Sequence, residues 1–288
     1  MLSQAQRDQF WRDGFLVAED AVTRDQLRAL NETLSGWVEE SRNHDKPFGP
    51  LCKGGRARFD MGAEHSKERP ALRRVNNPSD ISSAFEAVMK SSAMVDMVAD
   101  LLGGDVKFHH CKINLKLPTS QTEVGYHQDF SFTPHTNDDI VTALLMLDDV
   151  TMENGPLMVV PGSHREAVYS LYHDGRFTGT IAAGHDARFH REEVPAIGRA
   201  GSVCLMHTRV VHGSRVNRSQ RSRNLYICVY TAADAFPLCP NPLPSVNEGA
   251  LVRGRKSNEA RLTLDRVELP PPPSNASFFA TQGQRSAG

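Results

Sequence analysis

Val124-Gly125-Tyr126-His127-Gln128-Asp129-Phe130-Ser131-Phe132 opens the part of the chain that decides its fold. IVTALLMLDDV at 140–150 and LMVVPGSH at 157–164 continue it. These are short runs rich in β-branched and aliphatic residues, separated by clusters of Pro, Asn, Asp and Gly. Such clusters end strands by supplying turn conformations. The texture extends outward in both directions, through VKFHHCKINLKL at 106–117, GSVCLMH at 201–207, RVVHGSRV at 209–216 and NLYICVYTAA at 224–233. Strands at this spacing predict an all-β core over about 105–235, a sandwich or barrel of the jelly-roll kind.

The segment before it, about 1–104, reads as helical. Ser3 is a plausible cap for a helix over 3–13 that Gly14 stops, and Phe15, Leu16 and Val17 follow as a short strand. From Thr23 to about Val38, Leu27, Leu30, Leu34 and Val38 repeat at helical spacing. Residues 40–70 show no period and read as a long loop, a candidate lid. Residues 81–103 return to helical spacing as one helix ending at Gly103 and Gly104. After about 235 the chain is proline-rich, with Pro270 to Pro273 in succession, which predicts an extended strap or a disordered end. Together the parts are read as one domain, 1–288, with flanking helices around the β core.

Composition limits the function. There are 33 Lys plus Arg against 34 Asp plus Glu, for a net charge of −1, so no electrostatic grip on nucleic acid or anionic membrane is expected. No run of about 18 apolar residues is present, so no bilayer span is predicted, and the N-terminal stretch does not read as a secretory signal. Five cysteines, with no CxxC pair, read as reduced thiols of a cytoplasmic protein. The expectation is an enzyme or binder acting on a small molecule, in an oligomeric state the residues leave open.

Chemistry concentrates at His127-Gln128-Asp129. In an extended strand, residues i and i+2 share a face, so His127 and Asp129 would present an imidazole and a carboxylate together. A second histidine would complete the two-histidine, one-carboxylate triad that holds ferrous iron with three positions open. His212 is preferred, because the polar turn NRSQ (217–220) and then an arginine entering an apolar strand follow it; His207 is the rival. Arg223, 11 residues beyond His212, shares its face with Leu225, Ile227 and Val229 by alternation, as does Arg221. An arginine inside a barrel demands an anionic partner, which a dicarboxylate would supply.

With these residues in place, the stretch from about 72 to 232 resembles the phytanoyl-CoA dioxygenase family of Fe(II)- and 2-oxoglutarate-dependent oxygenases, which implies a double-stranded β-helix (jelly-roll, cupin-like) barrel for the β core. The specific part is HQDFSFTPHTNDDIVTALLMLDDVTMENGPLMVVPGSHR (127–165), with the later HGS (212–214) and its arginine. The resemblance implies that His127, Asp129 and His212 bind iron, and that Arg223 with Ser214 binds the distal carboxylate of 2-oxoglutarate. It also places Asn114 and Arg74 at the co-substrate, Arg74 standing where a family member has a lysine. Leu145 stands where the family has a tryptophan. Because Asp129 is retained, hydroxylation of an unactivated C–H bond by O2 is implied, not halogenation, with succinate and CO2 as co-products. His110 shares the parity of Asn114 and is a candidate substrate-facing residue, along with Phe130, Phe132 and Thr133. Asn154, Gly155 and Pro156 read as a structural turn, and Lys53, Arg56 and Arg58 as a solvated loop. Two other readings are a cupin-like metal enzyme that does not use 2-oxoglutarate and a non-catalytic binding barrel.

Overall fold

A computed structural model of the protein describes residues 1–118 and 122–272. Pro273, the last of the four consecutive prolines, and the C-terminal RSAG lie outside them. In chain order the strands are β1 (Phe15–Ala18), β2 (Phe48–Leu51), β3 (Ala57–Met61), β4 (Leu72–Asn76), β5 (Val106–Lys116), β6 (Val124–His127), β7 (Ile140–Met146), β8 (Leu157–Val159), β9 (Tyr172–His173), β10 (Arg176–Phe177), β11 (Val194–Ala196), β12 (Val203–His207), β13 (His212–Ser214), β14 (Arg223–Ala232) and β15 (Leu251–Arg253). The helices are α1 (Gln4–Asp13), α2 (Arg24–Ser41), α3 (Ser83–Ser91), α4 (Ala93–Leu102) and α5 (Asp186–Glu192).

A major sheet runs in the order β1-β12-β7-β14-β5-β4-β3-β2, with β15 added to β5, and a minor sheet runs β11-β8-β13-β6. The β9–β10 hairpin stands apart. The pairings are antiparallel, as the jelly-roll expectation requires. Alternation along β7 and β14 divides the core. Leu144 and Met146 of β7, with Leu225 and Ile227 of β14, pack against Leu157 and Val159 of the minor sheet. Their neighbours Ala143, Leu145, Tyr226 and Cys228 face the helices, among Leu30, Phe85 and Val98. Burial on both faces explains why these strands read as continuous apolar runs rather than alternating ones. Leu145 therefore lies on the helix side of the sheet.

Local chemistry sets the helix ends. Ser3 and Thr23 each form a reciprocal capping box, with Gln6 and Gln26. Such caps are worth about 1 kcal/mol each. The hydroxyls of Tyr226 and Tyr230 donate to the carbonyls of Phe85 (3.0 Å) and Met89 (2.9 Å), tying α3 onto β14.

The backbone departs from the sequence expectations in several places. Residues 40–70 are not a simple loop: β2 and β3 extend the major sheet there. Their signal was hidden because the β3 run ARFDM carries a charged residue that is itself buried, Arg58. The single helix expected over 81–103 is two helices, since Ser92 is extended (φ −96°, ψ 165°) and its hydroxyl donates back to the Val88 carbonyl at 2.7 Å. The strand expected through Asp129 stops at His127, and Asp129–Ser131 form a short 3-10 turn. The described part of the tail straps the barrel: β15 pairs with β5, and Leu264 and Val267 pack on Phe130, Ile140 and Val229.

Candidate metal centre

His127 ends β6 and His212 begins β13, and the two strands pair with these residues opposite each other. Asp129 comes around from the turn after β6. The three side chains bring ligand atoms within 4.8 Å of one another. Nε2 of His127 lies 3.6 Å and Nε2 of His212 3.8 Å from Oδ1 of Asp129. Both imidazoles are held alike: Nδ1 of His127 donates to the Gly125 carbonyl (2.8 Å), and Nδ1 of His212 to that of Val210 (3.0 Å). Each ring thus carries its proton on Nδ1 and turns a bare Nε2 inward, the tautomer a metal needs. Burial, then the neighbouring His127, lowers the pKa of His212 to about 4, so it is neutral and ready to coordinate. Burial pushes the Asp129 carboxyl up, but His212, His127 and Lys112 together hold it below the ordinary range. Oδ2 of Asp129 accepts from the Thr142 hydroxyl of β7, so both sheets meet at this carboxylate.

Between them, Gln128 points the other way. It donates to the Arg209 carbonyl (2.6 Å) and accepts from the Tyr169 amide (2.8 Å), pinning the strand end. The rival His207 is on β12 in the major sheet, against His164 and Trp11, and takes no part in the cluster.

A cavity of about 330 Å³ opens beside the triad. His127, Asp129, Phe132 and Thr133 line it, as do His110 of β5 and Arg74 of β4. Phe130 is not on its wall; fully buried, it packs on Ile140 and Val229 instead. Among the further residues lining the cavity are two cations that the sequence did not place here, Lys112 and Arg56. Lys112 lies between His110 and Asn114 on one face of β5, so the alternation that selected those two would have found it. Arg56 sits at the cavity as well, while Arg58 is buried in an ion pair with Asp80 (3.3 Å) and donates to the Asn76 and Asn77 carbonyls. Only Lys53 of that basic group is fully exposed. The tail closes the cavity through Pro240, Pro242 and Pro270 to Pro272.

Arg223 and Ser214 are not among the residues lining this cavity; they form a second cationic cluster further along β5. Arg223 is buried opposite Lys116, and its Nε donates to the Gly155 carbonyl at 3.0 Å. Lys116 donates to the Ser214 hydroxyl (2.8 Å) and to the Arg215 carbonyl. Burial lowers Arg223 to about 10 and Lys116 well below its ordinary value. Among the described residues neither has a carboxylate within ion-pair distance, an arrangement that costs stability unless an anion arrives. Arg221 is exposed. Asn114 accepts from Nε of Arg74 at 3.1 Å across the β4–β5 pair. Leu145, on the helix side, stands away from this chemistry. Asn154 and Gly155 form the expected turn, held by the Asn154 amide on the Asp149 carbonyl (2.7 Å).

The Phytanoyl-CoA dioxygenase (PhyH) family matches residues 10–225. The chain belongs to the phytanoyl-CoA dioxygenase family. It is an enzyme of that class, an iron(II)- and 2-oxoglutarate-dependent dioxygenase. Among its relatives, a probable alpha-ketoglutarate-dependent hypophosphite dioxygenase from Stutzerimonas stutzeri is 36% identical over 216 residues, 74% of each chain. An L-proline trans-4-hydroxylase from Streptomyces griseoviridis is 27% identical over 256 residues, 80% of this chain and 87% of the relative. The crystal structure of EctD from S. alaskensis with bound Fe has the same fold, at TM-score 0.65 and 23% identity, covering 94% of this chain and 88% of that one. The dioxygenase's donor set suits ferrous iron: two borderline nitrogens and one hard oxygen on one side, with an open cavity on the other.

Proposed function

We propose that this dioxygenase hydroxylates an unactivated C–H bond of a small polar molecule, with iron held by His127, Asp129 and His212. The observation that carries the reading is the convergence of two bare Nε2 atoms and one carboxylate beside the cavity that His127 and Asp129 line. Bound iron(II) with 2-oxoglutarate supplies the oxidation by O2, releasing succinate and CO2. The chain's own residues do the rest. Arg223, fixed by the Gly155 carbonyl and backed by Lys116 and Ser214, anchors the distal carboxylate of 2-oxoglutarate by charge-assisted hydrogen bonds. Asn114, held by Arg74, orients the co-substrate nearer the metal. Phe132 sets its ring edge-on to His127, with centroids 5.7 Å apart, and keeps that side apolar. Phe132, Thr133, Phe177 and the tail prolines exclude water and hold one C–H bond in reach.

The relatives' printed substrates, hypophosphite and proline, are small and polar. No helix among the described residues is long and apolar enough to cross a membrane. The near-zero net charge supports no role on nucleic acid or membrane surfaces, and five free cysteines, four of them buried, suit the reducing cytoplasm.

The test is anaerobic titration of the protein with Fe(II) and 2-oxoglutarate. The wild type should give the weak visible charge-transfer band of the iron–keto-acid complex. His127→Ala and His212→Ala should lose that band and all succinate formation while keeping the same thermal unfolding transition without metal. Retention of the band in either variant would remove that histidine from the site, and its absence from the wild type would favour a cupin-like enzyme independent of 2-oxoglutarate.

A further inference from the structure

The cavity wall contributed by β4 and β5 is built of donors. Among the described lining residues, Arg56, Arg74 and Lys112 stand against one carboxylate, Asp129, which belongs to the triad. Lys112 is half-buried and faces the cavity. Among the described residues its ammonium makes no hydrogen bond and no ion pair.

His110 adds a neutral donor, and its tautomer follows from its neighbour. Nδ1 of His109 and Nδ1 of His110 are 2.7 Å apart, so one donates to the other. Nε2 of His109 is buried with no partner. Were His110 the donor, His109 would carry its own proton on that orphaned Nε2, and a buried N–H without an acceptor is the costlier defect. His109 therefore donates to His110, and His110 keeps its proton on Nε2, the nitrogen left to face the cavity.

These donors are distinct from the Arg223 cluster. Lys112 and Lys116 lie on one face of β5, four residues apart, hence about 13 Å along the strand. The distal carboxylate of one keto-acid cannot reach both ends.

We propose that Lys112 and His110, with Arg74 beside them, form an oxyanion site for the substrate, which carries a carboxylate or a phosphorus oxyanion. The inference rests on the dioxygenase reading above and narrows its substrate class. An oxyanion offers only acceptors, which matches a wall offering only donors. Its charge complements the cationic lining, Lys112 above all, and its attachment to β5 leaves the far end of the substrate directed to the triad. The shape-selective work then falls to Phe132, Phe177 and Val229.

The experiment uses the anaerobic iron–2-oxoglutarate complex of the whole chain and follows its visible band. Propionate, methylphosphonate and hypophosphite are titrated against propionamide, the uncharged match for propionate. At least one anion should shift the band where propionamide does not, and the stronger of the carboxylate and phosphorus arms names the source. Lys112→Met should weaken that shift at least about tenfold, the scale of a lost hydrogen bond to a charged group, with the 2-oxoglutarate dependence of the band unmoved. Lys112→Arg should restore most of it, and thermal unfolding shows that each variant is folded. Equal shifts by propionamide, an unweakened shift in Lys112→Met, or a raised 2-oxoglutarate requirement in its place each overturn the proposal. If the band forms and no anion shifts it, the oxyanion site fails and the dioxygenase reading stands. If no band forms, both fall.

Discussion

The hydroxyl of Thr142 lies 2.9 Å from Oδ2 of Asp129, so a strand of the major sheet holds the carboxylate that two minor-sheet histidines converge on. Asp129 is on a turn, and a turn alone does not fix a side chain to the tolerance a metal requires. The Thr142 hydroxyl supplies that constraint, leaving Oδ1 as the oxygen turned to the histidines.

Thr142→Val keeps the volume and removes the hydrogen bond. Iron(II) affinity should fall by about 10- to 100-fold, as for other outer partners of metal ligands. Anaerobic titration of the visible band against iron measures this, and unchanged affinity would show that the turn alone positions Asp129.

Arg223→Ala should raise the 2-oxoglutarate concentration needed for half-maximal succinate formation by at least about tenfold, because a buried charge partner is removed. The maximal rate should fall less. If the requirement stays put, the exposed Arg221 becomes the residue to test.

Gly155 has φ +83°, and a Cβ there would meet the Arg215 carbonyl at 2.6 Å. Gly155→Ala should cost about 1–3 kcal/mol. It should also raise the 2-oxoglutarate requirement, since the carbonyl holding Arg223 belongs to this residue. A lower melting temperature with an unaltered requirement would separate the turn's structural role from its positioning of Arg223.

Burial lowers His135 and His207 to about 4. The unfolded chain, with histidine near 6.5, binds more protons than the folded one between those values. Stability is therefore fullest above pH 6.5 and falls as pH drops toward 4, with each such histidine contributing about 1.4 kcal/mol per pH unit in that window. Urea unfolding of the metal-free protein at pH 7, 6 and 5 should show the decline. A flat profile would mean that these rings are not buried neutral.

Much of the site was readable because short range governs it. His127 and Asp129 are two residues apart, and parity along β5 pointed to His110 as a cavity residue. Asp129 is not on the strand as that two-residue parity assumed; a 3-10 turn brings its carboxylate back beside His127 and His212. Phe130 went to the core because that turn rotates it away, and Lys112 was passed over because a lysine in a strand reads as solvent-facing.

Composition, turn residues and strand spacing were enough for an antiparallel β core, for the histidine–aspartate pair and for a preferred second histidine, because each depends on backbone periodicity or on side-chain type. Only the folded chain could settle that His212, not His207, stands across from His127, that Thr142 restrains Asp129, and that Lys116 sits beside Arg223. Those contacts join residues far apart along the chain, and their pairing follows from strand register and sheet packing, which no local pattern encodes.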